Sequence, residues 1–427
     1  MGFTQESLNR WRQLLVAFTV GQTAWQLLRM GTGFALIRFL TKEDYATYTL
    51  VFTMQAMASV FVDLGLSGSL VALIGDKYKD RRVVGRYVAV AKYYRNRLLG
   101  FGAVGLAVVL FFATQRFAWD ASLGCFIWLF LVVSLYLSAQ ESFYDPILAL
   151  QQRLKMRYLI WNTAAFLRLM VVVVAYGMGM LSLAAALLAA ICSTGFSSLV
   201  MWQKARPSVA FPEEGEDLGD AKKEALALTL PKIPEAVFFA IRGQVTILII
   251  SILGQYDEIA SIGALSKIGL LFMLPRAFTS TLVLPWFSKL AKGRVLSGFW
   301  SMSGLYWFFG LSLLLANYFF PEVFLWILGA EYQDLDYEVF LFSISSVFSL
   351  LAGLCFTLSS SRKWVFYWTG PVSIVSYLVV LLYFLIFIDL TSIANVILLS
   401  IVTNATNYLL HQAVFLVGYL KSKRLDA

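Results

Sequence analysis

The chain of 427 residues holds one histidine and three cysteines. His411 has no second histidine or cysteine at ligand spacing, and Cys125, Cys192 and Cys355 each sit inside an apolar run without a partner. Structural zinc, disulfide staples and thiol catalysis are therefore not expected, and these four residues read as packing residues. No Gly-rich phosphate loop, nucleophile elbow or nucleotide-binding fingerprint occurs, so the chain has no means of hydrolysing ATP itself. Charge is scarce too, at 14% of residues against roughly 25% in a soluble domain. The amino terminus lacks a short apolar region followed by a small-residue cleavage site, and no cleaved signal peptide is expected.

What fills the chain instead is apolar. Hydrophobic residues make up 59% of it and the mean hydropathy is +0.75, the composition of an all-α polytopic membrane protein. About 20 apolar residues, rising 1.5 Å each, cross a hydrocarbon core of about 30 Å. Stretches of that length fall at about 14–39, 46–74, 98–116, 122–150, 158–180 and 182–203, then at about 226–253, 258–287, 297–319, 334–360, 365–388 and 391–420. Between the two sets lies the longest polar segment, with Pro207, Pro212 and the acidic run Glu213-Glu214-Gly215-Glu216-Asp217. The expected organisation is an N-terminal six-helix lobe (1–203), a cytoplasmic linker (204–223) and a C-terminal six-helix lobe (224–427).

The formal charge of +9 could suggest a nucleic-acid partner, but its distribution reads as topology. Basic clusters occupy alternate connections: Lys77 to Arg97, Arg153/Lys155/Arg157, Lys289/Lys292/Arg294, Arg362/Lys363 and Lys421/Lys423/Arg424. The opposite connections carry little beyond Lys42 and Arg116. The positive-inside rule then places both termini in the cytoplasm, and the basic run before the third span also suits anionic headgroups. The external connections are short and leave no room for a catalytic domain, so no enzyme is expected. Most of Trp25, Trp119, Trp286, Trp326, Trp364 and Trp368 read as interfacial belt residues.

Charges inside the spans carry the functional signal. Arg29, Arg168 and Arg242 fall near the middle of the first, fifth and seventh spans, with Lys267 and Arg276 on the eighth. An ionised side chain at the bilayer centre costs roughly 2.5 to 3.5 kcal/mol even on lenient scales, so such residues face a bundle interior or a wet cavity. Each arginine either pairs with an internal acid (Asp63, Glu141, Asp145 or Glu235) or joins the others in a cavity that attracts an anion. The planar guanidinium matches phosphate or carboxylate oxygens at two points, and a diphosphate is the obvious amphiphilic candidate. Glu141 and Asp145, four apart on one helix face, and Asp63 are the candidates for a coupling H+ or Na+. Pro231 with Pro234 should kink the seventh span ahead of Arg242.

One pattern recurs. Arg38-Phe-Leu-Thr-Lys-Glu-Asp-Tyr-Ala-Thr-Tyr-Thr-Leu50 reads against Ile252-Leu-Gly-Gln-Tyr-Asp-Glu-Ile-Ala-Ser-Ile-Gly-Ala-Leu265, each an acidic turn between two spans. Arg29 and Arg242 lie at nearly the same distance before these turns, as in a parallel repeat of two halves.

These residues, together with Asp63-Leu-Gly-Leu-Ser, Leu284-Pro-Trp-Phe-Ser and Leu328-Gly-Ala-Glu-Tyr332, resemble the polysaccharide-transporter family of the multidrug/oligosaccharidyl-lipid/polysaccharide exporter superfamily. That family contains the O-antigen and capsule repeat-unit flippases. The resemblance implies two six-helix lobes around a central cavity and an alternating-access cycle. It also implies the substrate, an undecaprenyl-diphosphate-linked oligosaccharide moved across a bacterial inner membrane for O-antigen, capsule or exopolysaccharide synthesis. A glycan polymerase and a chain-length regulator would be its partners. Where many relatives have an acid in span seven this chain has Gly243-Gln244-Val245, which departs from the family pattern. The alternatives are an ion-coupled multidrug/cation antiporter of the same superfamily and, from another class, a membrane glycan polymerase or ligase.

Overall fold

The computed structural model describes residues 5–424 apart from 75–76, 152, 214–215, 231–232, 254–255, 280–282, 289, 363 and 365; for residues 5–18, 68, 71–72, 228, 234–236, 239, 253, 274, 285, 288, 292 and 423–424 it describes the backbone alone. The expected kink at Pro231 and Pro234 and the acid Glu235 lie outside the described residues or side chains. The described chain is helical, and ten of its helices are long and apolar enough to cross a membrane.

The chain divides into two compact units. The first comprises residues 1–40 and 47–245, the second 41–46 and 246–427. The division falls within a helix, and the segment 204–223 lies in the first unit.

The first unit contains α1 (Gln5–Phe39), most of α2 (Lys42–Asp63), α3 (Leu66–Ile74), α4 (Arg81–Phe117), α5 (Ala121–Leu150), α6 (Leu154–Gly177), α7 (Leu183–Ala205), α8 (Gly219–Thr229) and most of α9 (Ile233–Leu253). The expected second span is broken into α2 and α3 by Leu64 at φ 44° and Gly65 at φ 81°. A left-handed leucine is strained, and it persists because the Asp63 carboxylate restarts the chain by accepting from the Ser67 amide at 3.3 Å and hydroxyl at 2.8 Å.

The basic stretch after α3 is not a loop. Asp80 caps α4 by accepting from the amides of Arg82 and Val83, and the helix runs 37 residues to a left-handed Ala118. At 1.5 Å per residue that is about 55 Å, far longer than the hydrocarbon core, so part of α4 stands clear of it. The linker packs there. The Ala210 amide donates to the Arg81 carbonyl at 2.8 Å, and a Cβ on Gly85 would lie 1.6 Å from the Ala210 oxygen. Tyr87 donates to Glu224 at 2.5 Å, and the Lys222 ammonium lies 4.2 Å from the centre of the Tyr93 ring.

The second unit contains α10 (Tyr256–Ile268), α11 (Met273–Phe278), α12 (Leu284–Ser288), α13 (Val295–Phe319), α14 (Pro321–Leu328), α15 (Asp336–Ser361), α16 (Thr369–Phe387) and α17 (Ile393–Arg424). A 3-10 turn at Gly269–Phe272 interrupts the expected eighth span between α10 and α11. The hydroxyls of Thr279 and Tyr306 donate to the Pro275 carbonyl at 2.8 and 2.9 Å, meeting the hydrogen-bonding need that such irregular backbone creates in a membrane. The core of this unit gathers Phe287, Phe299, Leu351, Cys355, Leu358 and Phe415. Cys355 is buried as expected, whereas Cys125 and Cys192 are exposed. An apolar run in a membrane helix supplies lipid-facing positions as well as core ones, which is why the run alone did not distinguish them.

Candidate functional site

The site is built on the register of α1 against α6. A Cβ on Gly21 would lie 2.5 Å from the Tyr158 ring, so the two helices meet closely at a residue without a side chain. Asn162 fixes the contact by donating to the Gly21 carbonyl at 3.1 Å and the Tyr158 carbonyl at 2.7 Å. One turn further along α1, Trp25 stacks on Trp161 with ring centres 5.4 Å apart and planes at 26°. After another turn the Arg29 guanidinium lies over Trp25, 4.6 Å from its centre. Trp25, expected in the interfacial belt, therefore packs within the first unit, carried there by the same α1 face that presents Gly21 and Arg29.

Two turns beyond Trp161 on α6, Arg168 donates to the Tyr48 hydroxyl of α2 at 2.6 Å and lies 5.2 Å from the Phe52 ring centre. Arg29 is near enough to interact electrostatically with both Arg168 and Tyr48. Among the described residues neither arginine meets an acid at ion-pair distance. The Arg168 Nε and the Gln26 Oε1 are both buried without a hydrogen-bond partner. Two cations that interact electrostatically, with unsatisfied hydrogen-bonding atoms on Arg168 and Gln26, have the chemistry to accept a multivalent anion.

Of the three acidic candidates in this unit, two are paired with other arginines and the third touches Trp161. Asp63 pairs with Arg95, whose side chain is 3% exposed and also donates to the Ala139 carbonyl and the Ser142 hydroxyl, each at 2.6 Å. Asp145 is gripped at two points by Arg157, with the second contact at 2.7 Å. Glu141 has neutral partners: the Trp161 indole N–H at 2.8 Å and the Ser197 hydroxyl at 2.7 Å. Among the described residues no group of three or more His, Cys, Asp or Glu could hold a metal ion.

The other cations are not brought together with Arg29 and Arg168 in the described contacts. Arg242 is half-buried on α9, and Lys267 is half-buried at the end of α10; neither is without a partner. Arg276 on α11 is exposed and donates to Ser349 at 2.9 Å. Tyr48, Phe52 and Trp161 were not anticipated as site residues. The signal for Trp161 was its spacing, four residues after Arg157 and seven before Arg168, which puts all three on one helical face. Arg95 was read within the cytoplasmic basic run and proves to be a buried ion-pair residue, because α4 continues through that run.

The comparisons with known proteins follow this architecture. An inward-facing multidrug resistance MATE transporter of the MOP superfamily superposes with a TM-score of 0.66 at 13% identity, covering 94% of this chain and 95% of the other. An outward-facing MATE transporter of that superfamily gives 0.60 at 14% identity, covering 97% and 95%. A mutant of a Vibrio cholerae MATE transporter gives 0.59 at 14% identity, covering 96% and 95%. At these identities the likeness establishes the fold. No curated protein sequence matches the chain. Residues 15–296 match the family described as polysaccharide biosynthesis protein. The solved structures that share this fold are those of membrane transporters. The chain is thus a multi-pass membrane protein that belongs to the polysaccharide biosynthesis protein family.

Proposed function

We propose that this protein is a flippase for an undecaprenyl-diphosphate-linked oligosaccharide, working by alternating access in a bacterial inner membrane with both termini in the cytoplasm. The observation that carries the reading is the pair Arg29 and Arg168, intramembrane cations whose described partners are Tyr48, Trp25 and Phe52 and not acids. A diphosphate supplies the missing negative charge and several acceptor oxygens. Arg242, Lys267 and Arg276 would serve the same anion or acidic sugars at other stages of the cycle. The glycan would go on to O-antigen, capsule or exopolysaccharide assembly, with a polymerase and chain-length regulator downstream.

A multidrug/cation antiporter is the competing reading, since MATE transporters share the fold. It would require acids as the primary charges, and two of the three candidates, Asp63 and Asp145, are already engaged by arginines. Glu141 would remain as the candidate for a coupling H+ or Na+. The deciding experiment follows the leaflet location of undecaprenyl-linked glycan in a strain lacking the gene. Glycan should accumulate on the cytoplasmic face, and the intact protein but not Arg168→Ala should relieve it. Normal external glycan without the gene, in a strain with no redundant transporter, would overturn the flippase reading.

A further inference from the structure

We propose that Glu141 acts as a positioning residue for Arg29, through the two indoles that separate them. The inference rests on the reading of Arg29 as a diphosphate ligand, and it assigns the buried acid a role other than ion coupling.

The contacts form an unbroken line across four helices. Ser197 of α7 donates to one Glu141 oxygen at 2.7 Å, and the Trp161 indole N–H donates to the other at 2.8 Å. An indole donates only through this N–H, so a fixed acceptor fixes the rotation of the ring. Trp161 is clamped from a second side by the Arg157 guanidinium, 4.5 Å from its ring centre, which Asp145 holds in turn. Trp25 stacks on Trp161 at 5.4 Å, and Arg29 rests on Trp25 at 4.6 Å.

The arrangement answers a physical problem. Arg29 is an exposed side chain with many rotamers, and ordering it on binding would cost affinity. A guanidinium over an aromatic face is held without using any of its five donors, which all remain for the ligand. The face must itself be fixed, and the Glu141 to Trp161 hydrogen bond does that. The charged groups around Glu141 are Asp145 on its own helix and Arg157 on α6, already paired with each other. What Glu141 offers its neighbours is two acceptor oxygens.

This makes a distinction that ion coupling does not. Glutamine keeps an acceptor oxygen for Trp161 and loses the charge, whereas alanine loses both. With farnesyl diphosphate as the probe and detergent-purified full-length protein, Glu141→Ala and Trp161→Phe should each weaken binding about three- to tenfold, the scale of one cation–π contact. Glu141→Gln should recover most of that loss. In an Arg29→Ala background Glu141→Ala should add nothing further. A Glu141→Gln loss equal to that of Glu141→Ala would overturn the proposal in favour of an ion site. An undiminished Glu141→Ala effect without Arg29 would overturn it as well.

A ligand-free measurement separates this from the flippase reading. In protein labelled with 15N-tryptophan, Glu141→Ala should shift the indole signals of both Trp161 and Trp25. An unmoved Trp25 signal overturns the relay whatever the lipid does. Shifted indoles together with no farnesyl diphosphate binding by the parent protein would support the relay and overturn the diphosphate reading.

Discussion

The two units solve the problem of polar groups in a membrane differently. The first uses full charges: Asp63 with Arg95, Asp145 with Arg157, and the unneutralised pair Arg29 and Arg168. In the second, most of the described side-chain contacts between helices run through hydroxyls and amides, beside the arginines Arg276, on Ser349, and Arg362, on the Phe287 and Leu290 carbonyls. Asn404 donates to the Ser345 hydroxyl at 3.0 Å, Asn317, 1% exposed, donates to Ser343 at 2.9 Å, and Thr246 shares a 2.8 Å bond with Ser400. Neutral pairs of this kind contribute little individually because the unfolded helices in lipid also find partners. A buried guanidinium offers no such tolerance, since removing its acid leaves an uncompensated charge. The ion pairs of the first unit should therefore tolerate substitution less than the neutral contacts of the second.

The sharpest way to break this comparison is Asp63→Ala. It strands Arg95 and also removes the acceptor that restarts α3, so a loss of about 3 kcal/mol or more is expected in thermal unfolding in detergent. The double variant Asp63→Ala with Arg95→Leu should recover much of it. A stable single variant would show that the charged unit is as tolerant as the neutral one.

Next in size is Arg168→Ala. Losing a charge-assisted contact worth about 1.5 to 3 kcal/mol should reduce glycan export roughly ten- to a hundredfold in a complementation assay, with normal protein levels. Arg168→Lys should restore only part of it, because an ammonium lacks the planar fork.

Gly85→Val tests the seat of the linker. Filling a place where even a Cβ would meet the Ala210 oxygen at 1.6 Å should detach this segment from α4 and cost about 1 to 3 kcal/mol, with faster proteolysis between 204 and 223. In the second unit Ser345→Ala should cost only about 0.6 kcal/mol.

The smallest effect concerns Asp389, exposed before α17. The Thr391 amide and hydroxyl, donating at 2.9 and 2.8 Å, hold its carboxyl below the ordinary aspartate range. A depressed carboxyl contributes stability above its ordinary pKa of about 3.9 and loses it as pH falls through the lower folded value. Thr391→Ala should therefore raise the pKa of Asp389 and slightly flatten the acid limb of a stability profile.

Much of the architecture was legible in the sequence, and the errors are informative. Most of the expected spans fall on long apolar helices, but ten and not twelve helices are long and apolar enough to cross: the expected first and seventh are not among them, the second and eighth are interrupted, and α4 runs on through its basic stretch, since apolarity marks the membrane and not the ends of a helix. The break after Asp63 had its signal in Asp63-Leu-Gly-Leu-Ser67, which combines a glycine with a serine placed to be capped. Arg29 and Arg168 were identifiable as intramembrane cations from one dimension, but their freedom from acids was not.

The sequence by itself determined that this is a helical membrane protein, with its cationic residues at particular places along its apolar runs, because apolar run length and charge position are local properties. Only the tertiary structure decided which charges cancel. Arg95 meets Asp63 across 32 residues and Arg168 meets Tyr48 across 120. Such pairings depend on which helix faces pack side by side, and in a chain where almost every face is apolar no periodicity encodes that choice.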